Sequence, residues 1–514
     1  MKRKLLIVLL ILDMITLAGC GGDGGESTGD KTLILGSTNY FSNEGWDPTV
    51  GWDAMYIQSF GVAETLFRLD DHYTAMPWLA KEIEKKDDFT WEITLREDVQ
   101  FHNGDAMTAE AIKKCFERTL EKNERAKAAI PVDSIEANGH TLTIVTKEPL
   151  PTMKNDLADP LWVIYNTENT EDFDQQTYYT GPFVPTEFEQ SVAFTVEKFD
   201  DYWGEQPKVD RAIFKTLKDE ESLVMALQSG DIDLLIPLRS SAYPTIKDNE
   251  KIETDKANST RAQFMQLNME SPVFSDKAVR QAVAMCVDRK SYAEVITHGR
   301  DDEAYVPFPE VLPFGGIQGI QLEVDKMDVE GAKKLLEAAG YKDSNGNGIL
   351  DKNGTELTMR VITYSTYSSQ LQLYELLQKT LKDIGIELVI MPVESPNDYY
   401  KTGNFEIRGA SYITSPTGSA NYFTTMMFDS RGANNFGHYQ NEEVDRLTEG
   451  LARTFDEGKR DEITRKIVSE VVNDFGYIFF ANEQFTAAYN KNKVKTYHTH
   501  PSELYILDST VEMH

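Results

Sequence analysis

The sequence predicts a multi-domain α/β protein in which part of the sheet is parallel. Three observations carry that expectation. Helical and strand-like periods alternate, most plainly through VEGAKKLLEAAG, LTMRVITYS, SQLQLYELLQKTLKDIG and IELVIMPV, and such alternation builds α/β layers. Beyond a short leader and tether roughly 485 residues remain, too many for one core, so about two to four domains are expected. Apolar residues make up 40% and aromatics 11% of the chain, enough for packed cores and contrary to a disordered chain.

The elements follow in order. TLILGSTNY alternates as an opening strand, and PWLAKEIEKKDDFTWEITLREDVQFHNGD holds short alternating strands around an Asp-Asp turn. Residues 108–122 form an amphipathic helix capped by Thr108. HTLTIVTKE is a strand, YTGPFV a turn entering another, and VAFTVEKFDDYW and RAIFKTL continue the pattern. A helix ESLVMALQSG precedes the strand DIDLLI; RAQFMQLNM is a strand and KAVRQAVAMCV a helix. No internal repeat is present.

The first twenty residues decide the compartment. Lys2, Arg3 and Lys4 precede a mostly apolar run over residues 5–17, interrupted by Asp13, and Leu17-Ala18-Gly19-Cys20 follows. A short apolar core ending in small residues is a secretory signal, shorter than the ~20 residues a spanning helix needs. The Cys after Leu-Ala-Gly resembles a bacterial lipobox, which implies cleavage after residue 19 and a lipid on Cys20. Residues 20–31 then form a flexible tether rich in Gly, Asp, Glu, Ser and Thr. The protein is expected outside the cytoplasmic membrane, anchored by lipid.

Lys and Arg number 52 against 84 Asp and Glu, a formal charge of −32. That excess repels phosphate backbones and argues against a nucleic-acid partner. Apart from Cys20 there are two cysteines, Cys115 and Cys286, both in helical patterns. Buried free thiols are expected, the alternative being a disulfide, which an oxidising compartment permits. The chain carries no G-x-S-x-G, H-E-x-x-H, G-x-x-x-x-G-K-[ST] or post-strand G-x-G-x-x-G. With 84 carboxylates, chance pairs are certain and no acid–base pair stands out. No catalytic residue is assigned.

Six segments in order resemble the solute-binding proteins of ABC importers, in the family that takes up oligopeptides, dipeptides and nickel (bacterial solute-binding protein family 5). They are Pro77-Trp78-Leu79-Ala80, FTWEITLREDVQFHNGDAMTAEAIKKCFE, Tyr179-Thr180-Gly181-Pro182-Phe183, DYWGEQPKVDRAIFKTL, ALQSGDIDLL and FMQLNMESPVFSDKAVRQAVAMCVDRKSY. The resemblance implies a two-lobed, hinged periplasmic-binding-protein-like fold with an extra domain inserted in the first lobe. Lobe I would take residues 32–64, 181–267 and 480–514, the insert 65–180, and lobe II 268–479. Ligand would bind between the lobes, and the loaded monomer would dock on the importer's permease. A binding protein and not an enzyme is therefore expected, a secreted hydrolase being the remote alternative.

The resemblance also bears on the ligand. Peptide-binding relatives capture the α-amine with an Asp near a Gly-Asp-Pro-x-x-Phe segment, whereas residues 411–423 here read SYITSPTGSANYF. Pro416 and Ser419 stand where acids are expected, and Asp429 is the nearest substitute. An ammonium buried without a partner costs several kcal/mol, so a metal chelate, above all nickel with an amino-acid-derived chelator such as histidine, is favoured over a short peptide. His498 and His500, two apart and on one face if in a strand, are the candidate metal ligands, since imidazole suits nickel. Arg125 and Arg431 are the candidates to grip chelator carboxylates, and Tyr40, Trp46, Trp162, Tyr412 and Tyr422 to wall the cleft. Separately, Asp343, Asn345, Asn347 and Asp351 occupy positions 1, 3, 5 and 9 of a loop with Gly348 at 6, resembling a structural calcium loop, although Gly354 replaces the Glu expected at position 12.

Overall fold

The main element is a mixed sheet whose strands run Glu387–Val393, Thr358–Tyr364, Ile407–Ile413, Ile252–Leu267, Tyr477–Asn490, Leu234–Leu235, Thr32–Ser37, Arg211–Thr216, Ala193–Lys198 and Phe183–Glu189. This is a computed structural model describing residues 31–38 and 45–514; the leader, Cys20, most of the tether and Tyr40 lie outside the described residues. Two stretches of the sheet are parallel. In the first lobe Thr32–Ser37 lies between Arg211–Thr216 and Leu234–Leu235. In the second, Thr358–Tyr364 lies between Glu387–Val393 and Ile407–Ile413.

Among the described residues, Ile252–Leu267 and Tyr477–Asn490 connect these stretches. Residues 252–258 pair with 484–490, beside Leu234 and Leu235, while residues 261–266 pair on one side with 477–483 and residues 261–267 on the other with 407–413. The register slips between Asn258 and Arg261 and again between Gln263 and Phe264. Such irregularities bend and twist a strand pair, and here they fall where the two halves of the sheet meet. The result is a two-strand hinge.

Three helices cover one face of the second lobe's parallel strands. Lys277–Met285 buries Val279, Ala282 and Val283; Val329–Ala338 buries Ala332 and Leu336; Ser368–Asp383 buries Leu373, Leu377 and Leu381. All join one apolar core with Met359 and Val361 of the central strand. The first-lobe helix Glu220–Ser229 is capped by the Asp219 carboxylate and ends at Gly230, whose φ of 85° suits a residue without Cβ.

A separate antiparallel sheet, ordered Ala80–Lys85, Thr90–Leu95, Thr141–Thr146 and Val132–Asn138, follows the first strand in sequence. Thr90–Leu95 and Thr141–Thr146 alternate between buried and half-buried residues. The helix Ala109–Lys122 starts at the expected cap, where Thr108 Oγ1 accepts the Ala111 N–H at 3.1 Å. Its buried residues Ile112, Cys115, Phe116 and Thr119 repeat at helical spacing. Cys115 and Cys286 are both buried and free.

Candidate ligand cleft

Open α/β sheets bind ligands beyond the carboxyl ends of their parallel strands. In the first lobe those ends are Ser37 and Ile236-Pro237; in the second they are Tyr364 and Ile413. The first-lobe ends open on a cavity whose walls include Ser37, Met55, Tyr56, Phe214, Phe485 and Glu503.

The short helix Asp53–Ser59 divides its residues cleanly. Asp53, Ala54, Ile57, Gln58 and Ser59 are buried, while Trp52 is exposed and Met55 and Tyr56, three and four residues on, are half-buried on the same side. Trp52 is 55% exposed, and the Arg125 guanidinium lies 3.6 Å above its ring. Arg125 lies in the first turn of the helix Glu124–Ala129, where the Asn123 side chain accepts its backbone N–H at 3.0 Å. Its Nη1 donates to the Gly51 carbonyl at 3.4 Å, and it makes no ion pair among the described residues.

Asp159 and Tyr422 lie within electrostatic reach of Arg125. Burial raises the Asp159 carboxyl, and the Arg125 charge pulls it back. Burial likewise pushes the Tyr422 phenol to about 12, with Tyr412 and Asp159 adding to the rise and Arg125 opposing it. The four groups Arg125, Asp159, Tyr412 and Tyr422 are thus electrostatic neighbours although they come from distant parts of the chain. Tyr412, one residue from the end of its strand, accepts a hydrogen bond from Asn434 Nδ2 at 2.5 Å. Arg460 Nη2 holds Asn421 Oδ1 at 2.8 Å, bracing the turn that carries Tyr422.

At the hinge strand, Arg261 donates from Nε and Nη2 to Glu503 Oε1 at 3.0 and 2.8 Å. The Glu503 carbonyl accepts from Ser59 Oγ at 2.9 Å, tying the carboxyl-terminal segment to the Asp53–Ser59 helix. Nearby in the fold, Asn155 Nδ2 donates to the Thr417 carbonyl at 2.7 Å. Tyr73 receives the Thr260 N–H on its hydroxyl at 3.1 Å and donates to the Pro501 carbonyl at 2.7 Å. Asn155 and Thr417 thus meet along this seam, and Tyr73 bridges the segments that carry Thr260 and Pro501.

The structure brings Arg125, Tyr412 and Tyr422 together and places the other sequence candidates elsewhere. Trp46 is a core residue: it packs edge-on against Phe188 and Phe194 at 5.6 and 5.7 Å, and its carbonyl accepts the Tyr179 hydroxyl. Trp162 is fully buried against Phe116, ring centroids 5.0 Å apart. Arg431 is held by the Asp429 carboxylate through Nε and Nη2, both at 2.9 Å, and by Glu449 at 2.9 Å. The same pairing takes Asp429 from any ligand amine.

The histidines are also engaged. His498 Nε2 sits 3.1 Å from each Asp71 carboxylate oxygen. His500 is buried, accepts the Ser502 N–H on Nδ1 at 3.0 Å and donates from Nε2 to the Leu69 carbonyl at 3.2 Å. Burial drives its pKa to about 4, so the ring is neutral at pH 7 with its one lone pair already accepting. A metal ligand needs that lone pair free.

Nor does the Asp343 loop fit a resident calcium. Asp343 accepts the Gly346, Asn347 and Gly348 amides, and Asp351 accepts from Ser344. Asn345 and Asn347 turn their amide nitrogens onto Glu356 Oε1 at 2.9 and 2.8 Å. The oxygens a cation would use already stabilise the turn.

Residues 74–435 match the family described as bacterial extracellular solute-binding proteins, family 5 middle. The chain belongs to that family. The nickel-binding protein NikA of Staphylococcus aureus is 29% identical over 456 residues, 88% of this chain and 89% of that one. A crystal structure of NikA from Staphylococcus aureus in complex with Ni(L-His)2 superposes at a TM-score of 0.77, with 27% identity and 94% and 100% coverage. The nickel ABC transporter structure from Bacillus halodurans gives 0.81 with 30% identity, covering 94% of this chain and all of that one. The oligopeptide-binding protein AppA of Bacillus subtilis is 25% identical, covering 99% of each chain. The family is one of transport proteins working outside the cytoplasm, and its fold has two α/β lobes on a hinge.

Four cleft residues were missed in the sequence: Trp52, Asp159, Arg261 and Glu503. Only Trp52 left a signal, its helical spacing from Met55 and Tyr56. The others meet through tertiary contacts spanning the chain.

Proposed function

We propose that the protein captures a transition-metal chelate, nickel held by histidine or a related amino-acid-derived chelator, and delivers it to the permease of an ABC importer. The observation that carries this reading is the end-to-end similarity to nickel-binding relatives, one of them seen with Ni(L-His)2. The cleft chemistry supports it. Arg125 presents a guanidinium stacked on Trp52, able to grip a carboxylate in two-pronged fashion, and Tyr412 and Tyr422 offer aromatic walls. Among the described residues no group of three or more His, Cys, Asp or Glu side chains is arranged to hold a metal ion. The chelator, rather than the protein, would then supply most of the metal's ligands.

Closure of the lobes about the two-strand hinge would bury the complex, with lobe I formed by residues 32–64, 181–267 and 480–514, the insert by 65–180 and lobe II by 268–479. A ligand favours the closed state by contacting both lobes at once. The protein would act as a monomer and carry out no catalysis. Calorimetry with the mature protein tests this reading. Nickel with histidine should bind tightly, nickel alone weakly, and Arg125→Ala should weaken the first by about tenfold, the loss of one exposed charge-assisted contact. Tight binding of a metal-free peptide mixture, unchanged in Arg125→Ala, would instead favour the second reading, a short-peptide carrier, which the full-length similarity to AppA supports.

The lipobox reading adds a lipid anchor at Cys20. No helix among the described residues is long and apolar enough to cross a membrane. Cys20→Ala should release the protein from the membrane fraction with its melting temperature unchanged. Retention of that variant after a high-salt wash would refute the anchor.

A further inference from the structure

We propose that the cavity behind Trp52 is a second subsite, which takes the N–H-bearing ring of the chelator and hydrogen-bonds it to Glu503. This deepens the nickel-chelate reading and rests on it. Trp52, Met55 and Tyr56 lie on one side of the helix start, and Met55 and Tyr56 line the cavity, so a surface leads from the Arg125 guanidinium over Trp52 to the cavity. At about 1.5 Å per residue, Trp52 and Ser59 stand roughly 10 Å apart along the axis, about the reach of a bis-amino-acid chelate. The cavity is walled by Tyr56, Phe60, Phe214, Phe485 and Met55, which suits a flat aromatic ring.

Glu503 is the one carboxylate in that lining. Both Arg261 bonds end on Oε1, and Oε2 has no hydrogen bond among the described residues. An acceptor left over in an aromatic cavity selects a donor. When histidine chelates a metal through its amine and one ring nitrogen, the other ring nitrogen keeps its N–H and points away from the metal. That N–H is the group Glu503 Oε2 would accept, while the carboxylate of the complex faces Arg125. One end of the site thus reads an anion and the other a neutral ring donor, so a chelator bearing carboxylates alone fills half of it.

The test compares nickel with histidine against nickel with histidine methylated on the ring nitrogen that does not bind metal. Calorimetry on the mature protein should show the unmethylated complex bound about tenfold or more tightly, the scale of a hydrogen bond to a charged acceptor. In Glu503→Gln that preference should shrink to about twofold or less, whereas a purely structural defect would weaken both complexes alike and keep the ratio. Met55→Trp, which narrows the cavity without touching the Arg261–Glu503 pair, should weaken both ring-bearing complexes about tenfold. Equal binding of the two complexes by the unsubstituted protein, or an unchanged ratio in Glu503→Gln, overturns the subsite and leaves the nickel reading standing. Failure of the unsubstituted protein to bind nickel with histidine at all overturns both.

Discussion

Arg300→Met should destabilise the protein by about 3–5 kcal/mol, the loss typical when one partner of a buried ion network is removed. The Arg300 side chain is 3% exposed; Nη2 lies 2.8 Å from Asp301 Oδ1 and 3.1 Å from Glu483 Oε1. Its Nη1 donates to the Leu238 carbonyl at 3.0 Å, so one guanidinium ties together three segments distant in sequence or strand order, those of Asp301, Glu483 and Leu238. Without it, two carboxylates from adjoining segments face each other with little solvent. Burial already raises Asp301 and Arg300 opposes that rise; removing the cation raises Asp301 further. A carboxyl raised on folding stabilises the folded form only while protonated, so this contribution is present at low pH and lost as pH rises through the folded pKa. The melting gap between Arg300→Met and the unsubstituted protein should therefore be wide at pH 8 and narrower at pH 5. A pH-independent gap would show that lost packing, rather than stranded charge, dominates. Arg300→Met with Asp301→Leu should recover part of the loss, because apolar replacement of a whole buried pair is tolerated far better than removal of one member.

The parts of this fold that were legible in the sequence are those whose periodicity is local. Ala109–Lys122 with its Thr108 cap, the alternating Thr90–Leu95 and Thr141–Thr146, and the helix–strand pairs of the second lobe all carry their signal within a few turns. The hinge was not legible. Tyr477–Asn490 is buried on both faces along most of its length, so YIFFANEQFTAAYN shows no alternation. The amino-terminal half of Ile252–Leu267 is largely polar because much of it is solvated. In the cleft, residue type alone separated little. Trp46 and Trp162 fill the core while Trp52 lies open, although all three are the same side chain. His500 and Arg431 have the right chemistry for a chelate and are engaged by Ser502 and Leu69 or by Asp429 and Glu449. Arg125 and Tyr422 were named as candidates from distant segments, and what brings them near each other is the tertiary fold.

Gly418→Val should lower ligand affinity by about a hundredfold while leaving every ligand-facing side chain in place. Gly418 sits at φ +76°, and a Cβ there would lie 2.0 Å from the Tyr73 carbonyl oxygen and 3.3 Å from Asn155 Nδ2. The first contact is with backbone, which cannot swing aside. Its neighbour Thr417 accepts the Asn155 amide at 2.7 Å, so the turn is seated against Asn155 and Tyr73 with no room for a side chain. The left-handed backbone conformation costs a valine about 1–2 kcal/mol whether or not the lobes touch, and this part should appear as a lower melting temperature without ligand. The clash with Tyr73 exists only when the turn is seated. A seam that forms as the lobes close would carry this clash in the closed state alone, and a penalty of about 2.7 kcal/mol on that state is a hundredfold in apparent affinity. Calorimetry should report that loss, and small-angle scattering should show the variant keeping its ligand-free dimensions when nickel and histidine are added. If Gly418→Val bound the same complex with unaltered affinity and contracted normally, the seam between Gly418, Tyr73 and Asn155 would not be part of the loaded state.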